Sequence, residues 1–231
     1  MFGDMLDNMQ NKDIKTLGYV IRRTNYGEAD RILTIITPSG KLTAMAKGVR
    51  KEKSKLAGGI EMFTLAEYNI HFGKGEFGIL TGARMKKYYG GIIKDLNKLE
   101  LAANILKKTS RAADGSDSPE FFDIVDQGLK AIDANSDLRM VETWCLLNMK
   151  RVGGEEINLY RDVLSQKLIE NARYEWNTSE MAFAENANGE YGAEDIKLLR
   201  LMTKGDLRVV QRVKMHDGMM AKALRLAQMV I

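Results

Sequence analysis

The 231 residues are 45% hydrophobic and 29% charged, enough to bury a core and long enough for two small domains, which excludes a chain disordered throughout. Apolar-rich runs such as residues 32–37 and 144–149 fall far short of the roughly 18 residues that span a bilayer, and Asp4 and Asp7 stand where a secretory signal carries a basic cluster, so a cytoplasmic chain without a membrane partner is expected. Net charge is +4, but residues 1–90 hold 15 Lys and Arg against 9 Asp and Glu whereas residues 91–231 hold 20 against 22, so the basic excess belongs to the first part.

The first dozen residues read as a loose arm. Five strands follow, near residues 14–23, 30–37, 41–47, 62–72 and 77–85, rich in β-branched and aromatic side chains. Pro38-Ser39-Gly40 and Gly73-Lys74-Gly75 supply hairpin turns. Five short strands leave two exposed edges as an open sheet, and closing into a small OB-like barrel removes them. The join between the third and fourth strands, GVRKEKSKLAGGI at residues 48–60, is longer and is the most basic stretch of the chain, with Gly58-Gly59 returning it to the next strand.

After Gly90-Gly91 the apolar spacing changes from two to three and four: Leu96, Leu99, Ala103 and Leu106, then Phe122, Val125, Leu129 and Ile132. Ser118-Pro119-Glu120 is a helix start. Residues 138–149 form a third, strongly apolar helix ended by Gly153-Gly154; residues 155–192 are polar and irregular; residues 196–202, 207–213 and 219–230 return to helical patterning. The expected class is α+β: a five-stranded OB-fold barrel over residues 1–88, then a helical domain over residues 89–231 with an irregular insert at about 155–192.

Arg50, Lys51, Lys53 and Lys55, opposed only by Glu52, place four cations in six positions on a Gly-flanked loop. Such a loop tracks phosphates, with an affinity that falls steeply with salt; its other use is a solubilising surface. Arg22, Arg23, Arg31, Lys41 and Lys47 lie on or beside the neighbouring strands. Tyr26, Tyr68, Phe72 and Phe77 are available for base stacking, with Tyr68 and Phe72 better suited to the barrel core. Catalytic constellations are weak. His71 and His216 have no nucleophile at a recognisable spacing, Cys145 reads as a small buried hydrophobe, and the carboxylate pairs Asp123/Asp126 and Glu155/Glu156 lack a third oxygen ligand.

Tyr26-Gly27-Glu28, Asp30, Thr37, Gly40, Lys47-Gly48-Val49-Arg50, Ser54, Gly58-Gly59 and Phe63 together resemble the N-terminal domain of the RecO family of bacterial recombination mediators, over about 75 residues. The helical remainder resembles that family more loosely. The resemblance implies an OB-fold followed by a helical bundle, binding of single- and double-stranded DNA, annealing of complementary strands, and no enzymatic step. It also implies partnership with RecR, and help in loading RecA onto strands covered by the single-stranded DNA-binding protein (SSB), at the nucleoid. Arg22, Lys47, Arg50, Lys51, Lys53 and Lys55 fall on the implied DNA-binding face, with Arg23, Tyr26, Arg31 and Lys41 beside them; Glu28 and Asp30 read as structural. Many family members carry four zinc-binding cysteines in the insert. This sequence has none there, so no cofactor is expected.

A cation beside an apolar groove suits the acidic, apolar SSB tail, and Arg139 at the start of the apolar helix is the candidate. Arg208, Arg212, Lys214, Lys222 and Arg225 add a cationic surface near the C-terminus. An RNA-binding or translation-associated OB-fold protein would use the same barrel and loop, and a nuclease is the enzymatic rival.

Overall fold

The computed structural model describes residues 12–52, 54–75 and 77–231. The expected N-terminal arm and Lys53 lie outside the described residues. Five strands form as the alternation dictates: β1 (Lys12–Tyr26), β2 (Asp30–Thr37), β3 (Gly40–Ala46), β4 (Thr64–Phe72) and β5 (Gly78–Tyr88). On β4, Thr64, Ala66, Tyr68, Ile70 and Phe72 are buried and the residues between them are not.

The ladder runs β1-β2-β3-β5-β4 and returns to β1. All pairings are antiparallel except β3 with β5, a parallel seam of only two residue pairs, Ala44 with Gly78 and Met45 with Ile79. β1 serves two neighbours. Residues 12–19 pair with β4, and residues 19–26 pair with β2 with a register shift between Val20 and Arg22. Inside lie Val20, Leu33, Ile35, Ile60, Tyr68 and Ile70, each nearly or wholly inaccessible.

The chain divides into two compact units, residues 1–129 and 130–231. In the first, α1 (Leu96–Ala112) and most of α2 (Glu120–Asp133) join the barrel where β2 turns into β3. Asp95 caps α1 by accepting from the Lys98 N–H at 3.1 Å. The Lys41 ammonium donates to the Ala113 carbonyl, which ends α1, at 2.5 Å and reaches Asp114 at 3.4 Å. The Tyr19 hydroxyl donates to Asp126 on α2 at 2.7 Å and lies 3.0 Å from the Tyr89 hydroxyl. Asp126, weighed in the sequence only as half of a carboxylate pair, therefore ties a helix to the barrel.

The second unit holds α3 (Leu138–Val152), α4 (Ala193–Lys204), α5 (Leu207–Val210) and α6 (Asp217–Met229). Cys145 is wholly buried on α3, and that burial pushes its thiol well above the usual range. Asn148 beside it is also buried, which its side-chain N–H groups allow by donating to the Trp144 and Met202 carbonyls at 2.9 and 2.8 Å.

The segment expected to be irregular holds a three-stranded sheet in the order β6-β8-β7, made of β6 (Asn158–Asp162), β7 (Tyr174–Asn177) and β8 (Ala182–Glu185). Phe183 organises it, with the rings of Trp176, Tyr191 and Tyr174 at 5.2, 5.3 and 6.1 Å. Aromatic packing thus holds these short strands together. Among the described residues, no group of three or more His, Cys, Asp or Glu gathers as a metal site.

Candidate nucleic-acid interface

The strand registers define two ends of the barrel. At one, α1 and α2 meet the β2–β3 hairpin: an added Cβ on Gly40 would lie 2.7 Å from the Asp117 carbonyl oxygen. At the other, the β1–β2 turn, the exit of β3 and the start of β5 come together, because Tyr26 faces Asp30, Arg31 faces Ala46, and Ala44 faces Gly78.

The basic connection leaves β3 at this second end and is anchored at both of its own ends. At the start, the Gly48 N–H donates to Asp30 Oδ1 at 2.6 Å, the Arg50 N–H donates to the Ala29 carbonyl at 2.9 Å, and the Arg50 guanidinium donates to the Gly27 carbonyl at 3.2 Å. Gly27 has φ +55°, the left-handed conformation that this tight turn requires. Asp30 thus has the structural role its position suggested. At the far end, the Tyr68 hydroxyl donates to the Gly59 carbonyl at 3.0 Å and Arg23 pairs with Glu61 at 3.0 Å. Gly59 is required by close approach: a Cβ there would sit 2.6 Å from Ala83 Cβ.

These anchors bring Lys47, Arg50, Lys51 and Lys55 to one end of the barrel, all exposed, with Tyr26 exposed at the neighbouring turn. None of the four cations makes an ion pair among the described residues. Three of these charges lie on the loop and Lys47 lies at its entry, a cluster with the charge to attract a polyanion. Arg31 lies beside them on β2, with its Nε donating to Asn25 at 3.2 Å.

The remaining candidates are placed differently. Arg22 lies 3.6 Å from Asp114 and donates to the Thr34 hydroxyl at 3.3 Å. The Arg23 guanidinium is held by Glu61. Lys41 is at the helix-covered end, its side chain only 13% exposed. Asp114, which meets both Arg22 and Lys41, and Glu61 are the partners that sequence reasoning missed. They lie 92, 73 and 38 residues from the cations they meet, and no local pattern marks them. Tyr68 and Phe72 are in the core.

Arg139, in the second unit, donates to Asp137 at 3.1 Å and to Asp217 at 2.9 Å. Burial acts to raise the Asp137 carboxyl, but hydrogen bonds from the Arg139 side chain and from the Arg139 and Met140 N–H groups hold it below the usual carboxylate range. His71 pairs with Asp13 at 2.8 Å in a groove of about 410 Å³ on the outer face of β1 and β4, lined also by Lys15, Asn69 and Thr81. Among the described residues, no helix is long and apolar enough to cross a membrane.

Comparison with known proteins agrees with this architecture. The family described as "Recombination protein O N terminal" matches residues 9–89, and "Recombination protein O C terminal" matches residues 93–231. A DNA repair protein RecO of Dehalococcoides mccartyi (strain 195) is 25% identical over 219 residues, covering 91% of this chain and 86% of the relative. One from Acetivibrio thermocellus is 37% identical over 94 residues, 40% of this chain and 37% of the relative. Another, from Desulfitobacterium hafniense (strain DCB-2), is 32% identical over 137 residues, 58% of this chain and 50% of the relative. With both of its parts matched in order, the chain belongs to the RecO family of recombination proteins.

Proposed function

We propose that this protein is a non-enzymatic DNA-binding mediator of recombination repair that anneals complementary single strands and, with RecR, helps load RecA onto SSB-covered DNA at the nucleoid. The observation that carries the DNA-binding part is the double attachment of Arg50 to the β1–β2 turn, which sets Lys47, Arg50, Lys51, Lys55 and Tyr26 at one open end of the barrel. Lys53 belongs to the same loop. Arg31 extends the surface, whereas Lys41, Arg22 and Arg23 serve chiefly to hold the barrel, its helices and the loop together.

Annealing requires no bond-making residue. A cationic surface that screens phosphate repulsion and leaves base edges accessible raises the local concentration of pairing partners. RecR, SSB and RecA enter this reading through family membership, with Arg139 as the site proposed for the SSB tail.

The test is charge reversal, Arg50→Glu with Lys51→Glu, followed by titration of a labelled single strand at several salt concentrations. Affinity should fall, and the slope of log K against log salt should flatten by about 1.4 for two lost phosphate contacts. An unchanged affinity and slope would remove the loop from the mechanism. Preferential competition by RNA over DNA of the same sequence would replace the DNA reading with an RNA-binding one.

A further inference from the structure

A second concentration of unneutralised charge lies in the other unit, on the small sheet. Tyr160 of β6 is 44% exposed, and two cations lie over its ring: the Arg200 guanidinium carbon at 4.7 Å and the Lys204 ammonium at 4.8 Å from its centroid. Both come from α4, four residues apart and so on one helix face, where like charges repel each other. The negative face of the tyrosine ring offsets that repulsion. Arg200 is fixed in place by its Nε, which donates to the Leu159 carbonyl at 2.9 Å.

The neighbouring hairpin adds two more cations. Arg161 and Lys167 face each other across an isolated bridge, and the Arg161 guanidinium donates to the Ser165 carbonyl at 2.8 Å. None of Arg161, Lys167, Arg200 and Lys204 makes an ion pair among the described residues. The contrast is on the same helix: Lys197 is held between Glu170 at 2.6 Å and Glu194 at 3.0 Å. A favourable helix dipole accounts for Lys204 in the last turn. It accounts for neither the arginine over the ring nor the two hairpin cations.

An exposed ring flanked by uncompensated cations fits a ligand that is both polyanionic and planar in its apolar parts. An acidic peptide without aromatic residues supplies charge but makes no use of the ring, and a duplex supplies charge but hides the faces of its bases. We propose that Tyr160, Arg200 and Lys204 form a binding site for single-stranded nucleic acid, separate from the barrel loop, with Arg161 and Lys167 adding long-range positive charge to the same small sheet. A base stacks on Tyr160 in place of the Lys204 ammonium, which moves to an adjacent phosphate, and Arg200 holds the ring in position.

The experiment uses the full chain with labelled oligo-dT and a labelled duplex of equal length, read by fluorescence anisotropy. Tyr160→Ala should weaken oligo-dT binding about five- to tenfold while leaving the duplex within about twofold, and Tyr160→Phe should retain both affinities, since stacking requires only the ring. Arg200→Gln with Lys204→Gln should weaken both ligands and flatten the single-strand salt slope by about 0.7, for the one phosphate contact that Lys204 makes.

The same variants are repeated in an Arg50→Glu, Lys51→Glu background, so that this site is tested whether or not the barrel loop binds. Loss of the residual oligo-dT affinity with Tyr160→Ala in that background supports the site. Unchanged oligo-dT binding in both backgrounds, with a native circular dichroism spectrum, overturns it. So does an acidic peptide whose binding depends on Arg200 and Lys204 while oligo-dT binding does not.

Discussion

The Tyr19 hydroxyl donates to Asp126 at 2.7 Å across 107 residues of sequence, joining the midpoint of the bent strand β1 to helix α2. Phe122, one turn earlier on α2, packs its ring 5.6 Å from that of Tyr19, so the bond sits beside apolar cover. Tyr19→Phe keeps the ring and removes the donor. It should destabilise the first unit by about 1–2 kcal/mol, as expected for losing a half-buried hydrogen bond to a carboxylate, measured by urea unfolding followed with circular dichroism. No change in the unfolding midpoint would show that the bond has no net worth.

Alkaline pH should unfold the protein through its buried tyrosines. Burial is the first cause raising the hydroxyl pKa of Tyr19, Tyr68 and Tyr191, with hydrogen bonds to Tyr89 and Asp126 adding to it at Tyr19. The folded state therefore keeps these protons above pH ~10, where the unfolded chain releases them. Stability should be fully present below pH ~10 and fall above it by up to about 1.4 kcal/mol per pH unit for each such tyrosine. Tyrosinate absorbance rising together with loss of circular dichroism is the expected signature; tyrosinate forming without unfolding would contradict it.

Lys41 and Lys51 are both single cations of the barrel unit, and the geometry separates their roles. Lys41→Met removes a largely buried ammonium from the carbonyl that ends α1 and should cost about 1–2 kcal/mol of stability with little effect on DNA affinity. Lys51→Met removes an exposed charge and should do the reverse: stability within about 0.5 kcal/mol, and a salt slope flatter by about 0.7 on single strands. Thermal melts and salt titrations on the two variants test both halves.

For Arg139 to offer its Nη2 to a peptide carboxylate, it must release Asp217. Asp217→Asn should therefore tighten binding of an acidic peptide with an apolar C-terminus by about two- to fivefold, the range expected for an exposed ion pair. Arg139→Ala should abolish that binding. If neither variant changes the peptide's affinity in calorimetry, Arg139 serves only to join the start of α3 to the start of α6.

The strands were legible because their signals are local. The β2 span of residues 30–37 is set by Asp30 at one end and the Pro38 turn at the other, both in the sequence. The cationic loop was legible as composition. Its anchoring was not, since a guanidinium on the Gly27 carbonyl and a carboxylate on the Gly48 N–H are decided by how strands pair. The small sheet was illegible because β7 and β8 have four residues each, too few for a period-2 pattern, and depend on rings gathered around Phe183. Helical periodicity likewise located the apolar stripe of α2 but could not show that Tyr19 would meet Asp126 beside it.

The double service of β1 sets an order of events during synthesis. Residues 19–26 find their partner β2 after a three-residue turn, and β3 follows at once, so this meander can form early. Residues 12–18 pair only with β4, more than forty residues further on, and must wait until residues 64–72 have left the ribosome. In that interval the nascent chain presents an open strand edge, the kind of surface on which chains join one another. The interval closes when β4 arrives, so slowing translation across the basic loop should prolong the period in which that edge is exposed.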